Sequence, residues 1–170
     1  VDIIFCMSNE QINIYSKLYP KKKIIFASNG VDNRLFSSSL KFNERKNRIV
    51  CVGSLSWKKD YITILKSVKR FLEVFPQWKL VIVGTGSDKD QLIRLSNDLN
   101  ISNNVVFAGI KNRTEIANLL SESKIYLINS IQEGLPKSLL EAMASGCACV
   151  STNVGECENV LKSCGIVIKP

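Results

Sequence analysis

Short runs rich in Val and Ile recur along this chain, each separated from the next by a stretch of helical periodicity. That alternation restricts the fold more than any other feature. The apolar runs are Ile3–Cys6, Lys23–Ala27, Ile49–Gly53, Leu80–Val83, Val105–Ala108, Ile125–Ile128, Ala148–Ser151 and Ile166–Ile168. They are bounded by Gly, Asn or Ser and largely unbroken by polar residues, which suits parallel strands buried on both faces. Between them, Tyr61, Leu65, Val68, Leu72 and Phe75 recur at helical spacing, and Pro76 closes that helix. Leu92, Leu95 and Leu99 mark a second helix, with Ser87 as the expected N-cap and Asp90 three residues on. Asn112 and Glu115 open a third. A fourth, carrying Leu139, Leu140 and Met143, runs from Pro136 to Gly146. Strand–helix–strand repetition predicts a doubly wound α/β fold: a Rossmann-like parallel sheet with helices on both faces and right-handed crossovers.

The first forty residues read differently. Ile3–Cys6, a helix over Glu10–Leu18 and Lys23–Ala27 make one βαβ unit, followed by a polar stretch, Ser37–Asn47, of linker composition. The boundary is placed near residue 45, giving a first segment 1–45 and a second domain 46–170. The chain starts with Val1 at an apolar run and stops at Pro170 directly after a strand, so it reads as a piece of a longer protein.

Composition narrows the function classes. Among 170 residues, 23 are basic and 15 acidic, a net charge of +8 that favours anionic partners such as nucleotide phosphates, nucleic acid or an anionic membrane surface. The clusters Lys21-Lys22-Lys23 and Lys58-Lys59 fit a solvated surface equally well. No nucleic-acid module pattern occurs, so nucleic acid is not an expected partner. The chain has no His, which excludes His-ligated metals and His-based triads within it. Its six cysteines contain no C-x-x-C pair and mostly sit in apolar runs, where they read as free thiols acting as small core residues.

In a doubly wound sheet, ligands bind outside the carboxyl ends of the strands. Two of the loops there carry chemistry. Glu133-Gly134-Leu135-Pro136-Lys137-Ser138-Leu139-Leu140-Glu141 runs from a strand into a helix whose start has no good side-chain cap. Free amides at Lys137, Ser138 and Leu139, at the positive end of a helix dipole, suit a diphosphate. Glu141, one turn further in, is placed to accept from a ribose diol, and Glu133, in the loop, from a sugar hydroxyl. Both carboxylates fit equally as surface charges. Gly53-Ser54-Leu55-Ser56-Trp57-Lys58-Lys59-Asp60 forms the second loop, in which Gly53 permits a tight backbone, Lys59 offers a point charge to phosphate and Asp60 is the expected N-cap. Trp57 reads either as packing or as a stacking face. Gly84-Thr85-Gly86 reads as a turn, since it lacks the third Gly of the dinucleotide fingerprint. Asn29-Gly30-Val31-Asp32 is a turn signal of no functional content.

Taken in order, these pieces resemble glycosyltransferase family 4, of the two-domain GT-B architecture. Ser28-Asn29-Gly30-Val31-Asp32 and Phe36 resemble the end of that family's first domain; Val52-Gly53-Ser54-Leu55 and Lys59 resemble the opening of its second. Gly84 and Gly86, Phe107 and Gly109, Val154-Gly155 and Gly165-Ile166-Val167 follow in the family's order. The two-glutamate segment, Glu133-Gly-Leu-Pro and Leu139-Leu140-Glu141-Ala-Met-Ala-Ser-Gly146, matches best. The resemblance implies the C-terminal, donor-binding half of a GT-B enzyme that transfers a sugar, with retention, from a nucleoside-diphosphate sugar to a glycan or lipid-linked acceptor in cell-surface polysaccharide synthesis. It gives Glu133 and Lys59 catalytic positions, and Glu141 the ribose. The diphosphate falls to the Lys137–Leu139 amides beside Gly53, Ser54, Lys58, Gly134 and Leu135, and the base to Ile110 and Lys111. It implies no cofactor, no obligate metal and a cytoplasmic location. The positive charge agrees with peripheral association at the inner membrane face. The chain alone is expected to bind nucleotide and transfer little sugar.

Three positions depart from the family pattern. Ser54 stands for the usual Arg, Asp60 for a Gly, and the Gly-Gly-x-Pro-Glu stretch reads Gly155-Glu156-Cys157-Glu158-Asn159. The alternative readings are a non-catalytic GT-B module that binds nucleotide, or another GT-B enzyme such as a sugar-nucleotide epimerase.

Overall fold

The structure, a computed structural model, describes residues 2–162 and 164–169; Val1 and Pro170, the ends of the two predicted segments, lie outside the described residues. All eight predicted strands form: β1 (Ile3–Cys6), β2 (Lys23–Phe26), β3 (Lys46–Val52), β4 (Lys79–Val83), β5 (Val105–Gly109), β6 (Ser123–Ile128), β7 (Ala148–Thr152) and β8 (Gly165–Ile168). Six α-helices connect them: α1 (Asn9–Leu18), α2 (Tyr61–Val74), α3 (Lys89–Asp98), α4 (Arg113–Ser121), α5 (Lys137–Ala144) and α6 (Cys157–Leu161). The last is short and has too little periodicity to be predicted.

β1 and β2 pair in parallel as a two-stranded sheet. The other six strands form one parallel sheet in the order β5-β4-β3-β6-β7-β8. The chain winds outward from β3 to β5, then returns to start again at β6. The order therefore reverses between β3 and β6, and the loops leaving these two strands meet at that switch point.

Each central strand feeds two cores because successive side chains point to opposite faces. In β3, Ile49 and Cys51 join the layer under α2 and α3, with Ile64, Leu65, Val68, Leu80, Ile82 and Leu92. Val50 between them faces α4, α5 and α6, with Leu120, Tyr126, Leu139, Ala142 and Leu161. Five of the six cysteines are buried free thiols, and Cys164 is an exposed one. Burial raises the thiol pKa of Cys51 to about 12 and that of Cys147 to about 11, so they serve as apolar filling.

Capping largely follows the sequence. Asp60 accepts from the Thr63 amide at the start of α2, and Asn112 and Glu115 form a reciprocal capping box on α4. Ser87 does not cap α3. That helix begins one residue later, after Asp88, and the Ser87 hydroxyl donates to the Asp88 carboxylate instead. Phe75 is the C-cap of α2 and lies outside its helical body.

The stretch read as a linker is fastened to the larger domain. Phe36, immediately before the stretch, is buried in the core beside Val50, Tyr126 and Leu139. Arg45 is also buried and donates to the Ser145 and Gly146 carbonyls, at 3.0 and 2.6 Å, past the C-terminal end of α5. A cation on those carbonyls completes a helix terminus and complements its dipole. Its polar composition conceals this because the two anchors are single residues.

Candidate functional site

The β3–α2 loop begins where Gly53 follows the strand. Its amide donates to the Val83 carbonyl at 2.9 Å, and Leu55, buried, donates to Thr85 at 2.9 Å. The Gly84-x-Gly86 turn after β4 lies directly beneath. A Cβ on Gly84 would strike the Gly53 carbonyl, and one on Gly86 the Leu55 carbonyl. These two glycines let one backbone lie on another, and so hold the loop that carries Lys58 and Lys59. Gly53 has its own reason: a Cβ there would meet the Lys59 side chain, Cε 3.1 Å away. Lys59 thus passes across the end of β3 toward the neighbouring loop.

The β6–α5 loop supplies the partner. Glu133 forms an ion pair with Lys59, both side chains being mostly buried, and its Oε1 also accepts from the Ser130 hydroxyl at 2.8 Å. The loops are joined further. The Ile131 amide donates to the Lys58 carbonyl at 2.8 Å, and the Asn129 amide group donates to the Asp60 carboxylate at 3.0 Å. Buried Thr152 donates its hydroxyl to the Ser130 carbonyl at 2.8 Å, and Asn29 donates to the Leu135 carbonyl at 3.0 Å.

An open cleft of about 570 Å³ lies over this pair. It is lined by Ser54, Lys58, Lys59, Gln132, Glu133, Gly134 and Gly155, and on the opposite side by Ser8, Glu10, Gln11 and Ile14 near the start of α1. The α1 wall has no signal in the sequence; it becomes a wall only because the first unit packs against the end of the larger sheet.

Helix α5 starts at Lys137 with Pro136 in the cap position and no side-chain cap. Of the three amides singled out from the sequence, Leu139 is bonded to the Pro136 carbonyl at 3.1 Å and its side chain is fully buried. Among the described residues, the Lys137 and Ser138 amides have no partner. The Ser138 hydroxyl is turned to the core: it accepts from Tyr126 at 2.6 Å and faces the Val52 carbonyl at 3.5 Å. Leu135 is likewise buried, so its contribution at the surface is backbone.

Glu141 is half-buried in the second turn of α5. Among the described residues its carboxylate has no hydrogen-bond or ion-pair partner. Burial raises its pKa above the ordinary carboxylate value, and the charges of Arg113 and Lys137 partly offset this. It does not line the cleft around Glu133, and neither do Ile110 and Lys111, at the turn into α4. Ile110 is strongly exposed, while Lys111 pairs with Glu115 at 2.8 Å. The candidate residues thus fall into two neighbourhoods, Lys59–Glu133 in the cleft and Glu141 one turn inside α5, and the Lys137 and Ser138 amides at the start of α5 do not line the cleft either.

The sequence model of the family described as "Glycosyl transferases group 1" matches residues 32–170. An uncharacterized glycosyltransferase of Methanocaldococcus jannaschii is 33% identical over 102 residues, covering 60% of this chain and 25% of that protein. The UDP-Gal:alpha-D-GlcNAc-diphosphoundecaprenol alpha-1,3-galactosyltransferase of Escherichia coli is 28% identical over 166 residues, covering 89% of this chain and 42% of its own length. The chain therefore spans less than half of these curated relatives. Among solved structures, the pneumococcal O-GlcNAc transferase GtfA, in complex with UDP and GlcNAc, superposes on 100% of this chain and 34% of its own, with a TM-score of 0.86 at 20% identity. At that identity the likeness establishes the fold, a half of the GT-B architecture.

Proposed function

The chain belongs to the group 1 glycosyl transferases, and from that premise we propose that it is the donor-binding, C-terminal half of a retaining family 4 enzyme. That enzyme moves a sugar from a nucleoside-diphosphate sugar to a glycan or lipid-linked acceptor in cell-surface polysaccharide synthesis. The observation that carries this reading is the Lys59–Glu133 pair at the switch point of the sheet, followed in the same loop and helix by the Lys137 and Ser138 amides and the Glu141 carboxylate, which have no partner among the described residues and stand outside the cleft of the pair. A diphosphate has acceptors for the Lys137 and Ser138 amides and a charge for Lys59. A ribose diol has two donors for Glu141. Glu133, drawn toward Lys59 in the free chain, is the group a donor sugar hydroxyl would meet.

In the reaction, negative charge grows on the leaving diphosphate. Lys59 and the amides at the start of α5 stabilise that charge without reorganising, because the fold fixes them beforehand. The acceptor site belongs largely to the part of the enzyme beyond this chain.

Isothermal titration with UDP and GDP, and with sugars of each, tests the reading. The chain is expected to bind one of these families of ligand, and Glu141→Ala to weaken that binding by roughly tenfold, about 1.4 kcal/mol. A chain that binds no nucleotide, or a Glu141→Ala variant that binds equally well, overturns it. One observation favours a second reading, a nucleotide-binding module without transfer: with Ser54 in place of a cation, the cleft is left with Lys58 and Lys59, and Glu133 neutralises Lys59. Assay of the whole enzyme with donor and acceptor separates the two.

A further inference from the structure

Glu156 is a buried carboxylate outside the site described above, and both of its oxygens are used. Oε1 accepts from the Asn9 amide, in the first turn of α1, at 2.8 Å. Oε2 accepts from the Asn159 side chain, one turn along α6, at 2.8 Å. Its own amide donates to the Gly134 carbonyl at 2.9 Å. The preceding Gly155 has φ +53°, and a Cβ there would strike the Glu133 and Gly134 carbonyls. A single turn of chain therefore lies against the backbone of the Glu133 loop and reaches with its side chain to the first unit.

The contacts are of the strong kind. A carboxylate on an amide of the first turn of a helix forms a charge-assisted bond and meets the positive end of the helix dipole. The sequence around it has a matching feature: the stretch 155–159 carries acids at Glu156 and Glu158 and an amide at Asn159, and the Asn159 side chain donates to Glu156.

We infer that Glu156 is a positioning residue that ties the start of α1 to the Glu133–Gly134 loop, so that movement of the first unit is transmitted to the carboxylate facing the cleft. Anchored at both oxygens, it fixes the turn whose amide holds Gly134. Released, it frees the α1 wall and the loop together. Its effect on donor binding rests on the donor-site reading above; the mechanical link does not.

Amide hydrogen exchange on the chain tests the link without a ligand. Glu156→Ala is expected to speed exchange about tenfold at the start of α1 and over residues 133–136, with β3 and β4 unchanged. Glu156→Gln keeps an acceptor for Asn9 but turns an NH2 toward Asn159, so it is expected to restore protection at α1 and only partly over the loop. Unchanged exchange in both segments overturns the proposal, and so does a rise shared equally by β3 and β4, which marks general loosening. In parallel, where the wild-type chain binds UDP, Glu156→Ala is expected to bind it about fivefold more weakly; equal affinity overturns the transmission to the site. A wild-type chain that binds no UDP defeats the donor-site reading, while the exchange experiment still decides the link.

Discussion

The two loops that meet at the switch point are held by different means. The β3–α2 loop lies backbone on backbone over the Gly84-x-Gly86 turn, with buried Leu55 as its pin. The β6–α5 loop shares one such contact, the Gly155–Glu156 turn against the Glu133 and Gly134 backbone, but depends also on single side chains from distant segments: Thr152 on Ser130, Ser130 on Glu133 and Asn29 on Leu135. The cation of the Lys59–Glu133 pair therefore stands on a fixed arm and the carboxylate on an adjustable one. A pair built this way keeps its cation in place while the carboxylate follows its supports.

The largest expected effect breaks the fixed arm. Gly84 has φ +138° and no room for a Cβ, so Gly84→Ala is expected to cost about 3 kcal/mol or more in denaturant unfolding. A loss below roughly 1 kcal/mol would mean that the two turns are not in rigid contact. Next is the adjustable arm. Thr152→Val leaves the Ser130 carbonyl without its buried donor, and is expected to cost about 2 kcal/mol in the same measurement. If Thr152→Val proves the more damaging, the ranking of the two arms is reversed.

A smaller effect sharpens the charge argument. Glu133→Gln removes the partner that neutralises Lys59, so binding of UDP, which lacks the donor sugar that Glu133 would hold, is expected to strengthen about threefold in titration. Weaker UDP binding in that variant would show that Glu133 acts on the nucleotide itself.

The smallest effect is in pH. Burial raises the pKa of Glu141, so the folded chain holds this proton more tightly than the unfolded chain does. Stability then falls as pH rises from the ordinary carboxylate range through the raised value, and levels off above it. A diol bonds to the ionised form, so UDP affinity is expected to change in the opposite sense, strengthening as pH rises through the same window. Both slopes are expected to flatten in Glu141→Gln. Calorimetric titration and melting across about pH 4 to 7, a window that opens near the ordinary carboxylate value of about 4.3 and extends roughly three units upward, read both.

Much of this was legible in the sequence because it depends on local pattern. Unbroken Val and Ile runs required strands, and the central β3, β4 and β6 are buried on both faces as expected. By contrast β1, β2 and the edge strand β8 are largely exposed, because they lack a neighbouring strand or a covering helix layer on one side. The spacing of Tyr61, Leu65, Val68 and Leu72 required an amphipathic helix between β3 and β4. Asp60 and Asn112 announced their helices because a capping bond spans only three residues. The misreadings fall where two nearby residues compete or a distant contact decides. Asp88 displaced Ser87 at the start of α3, and Phe36 and Arg45 fasten a stretch whose composition reads as linker.

The amino-acid order by itself determined every strand, every α-helix but the short α6, and the doubly wound class, since hydrophobic period and capping act over a few residues. Only the tertiary structure decided that Lys59 meets Glu133 across 74 positions of chain, that Glu141 stands apart from their cleft, and that Glu156 reaches back 147 positions to Asn9. The physical reason is one of range. A strand's side-chain period is carried by the strand itself, whereas the partner of a charge is set by which loops the sheet order brings to the same end.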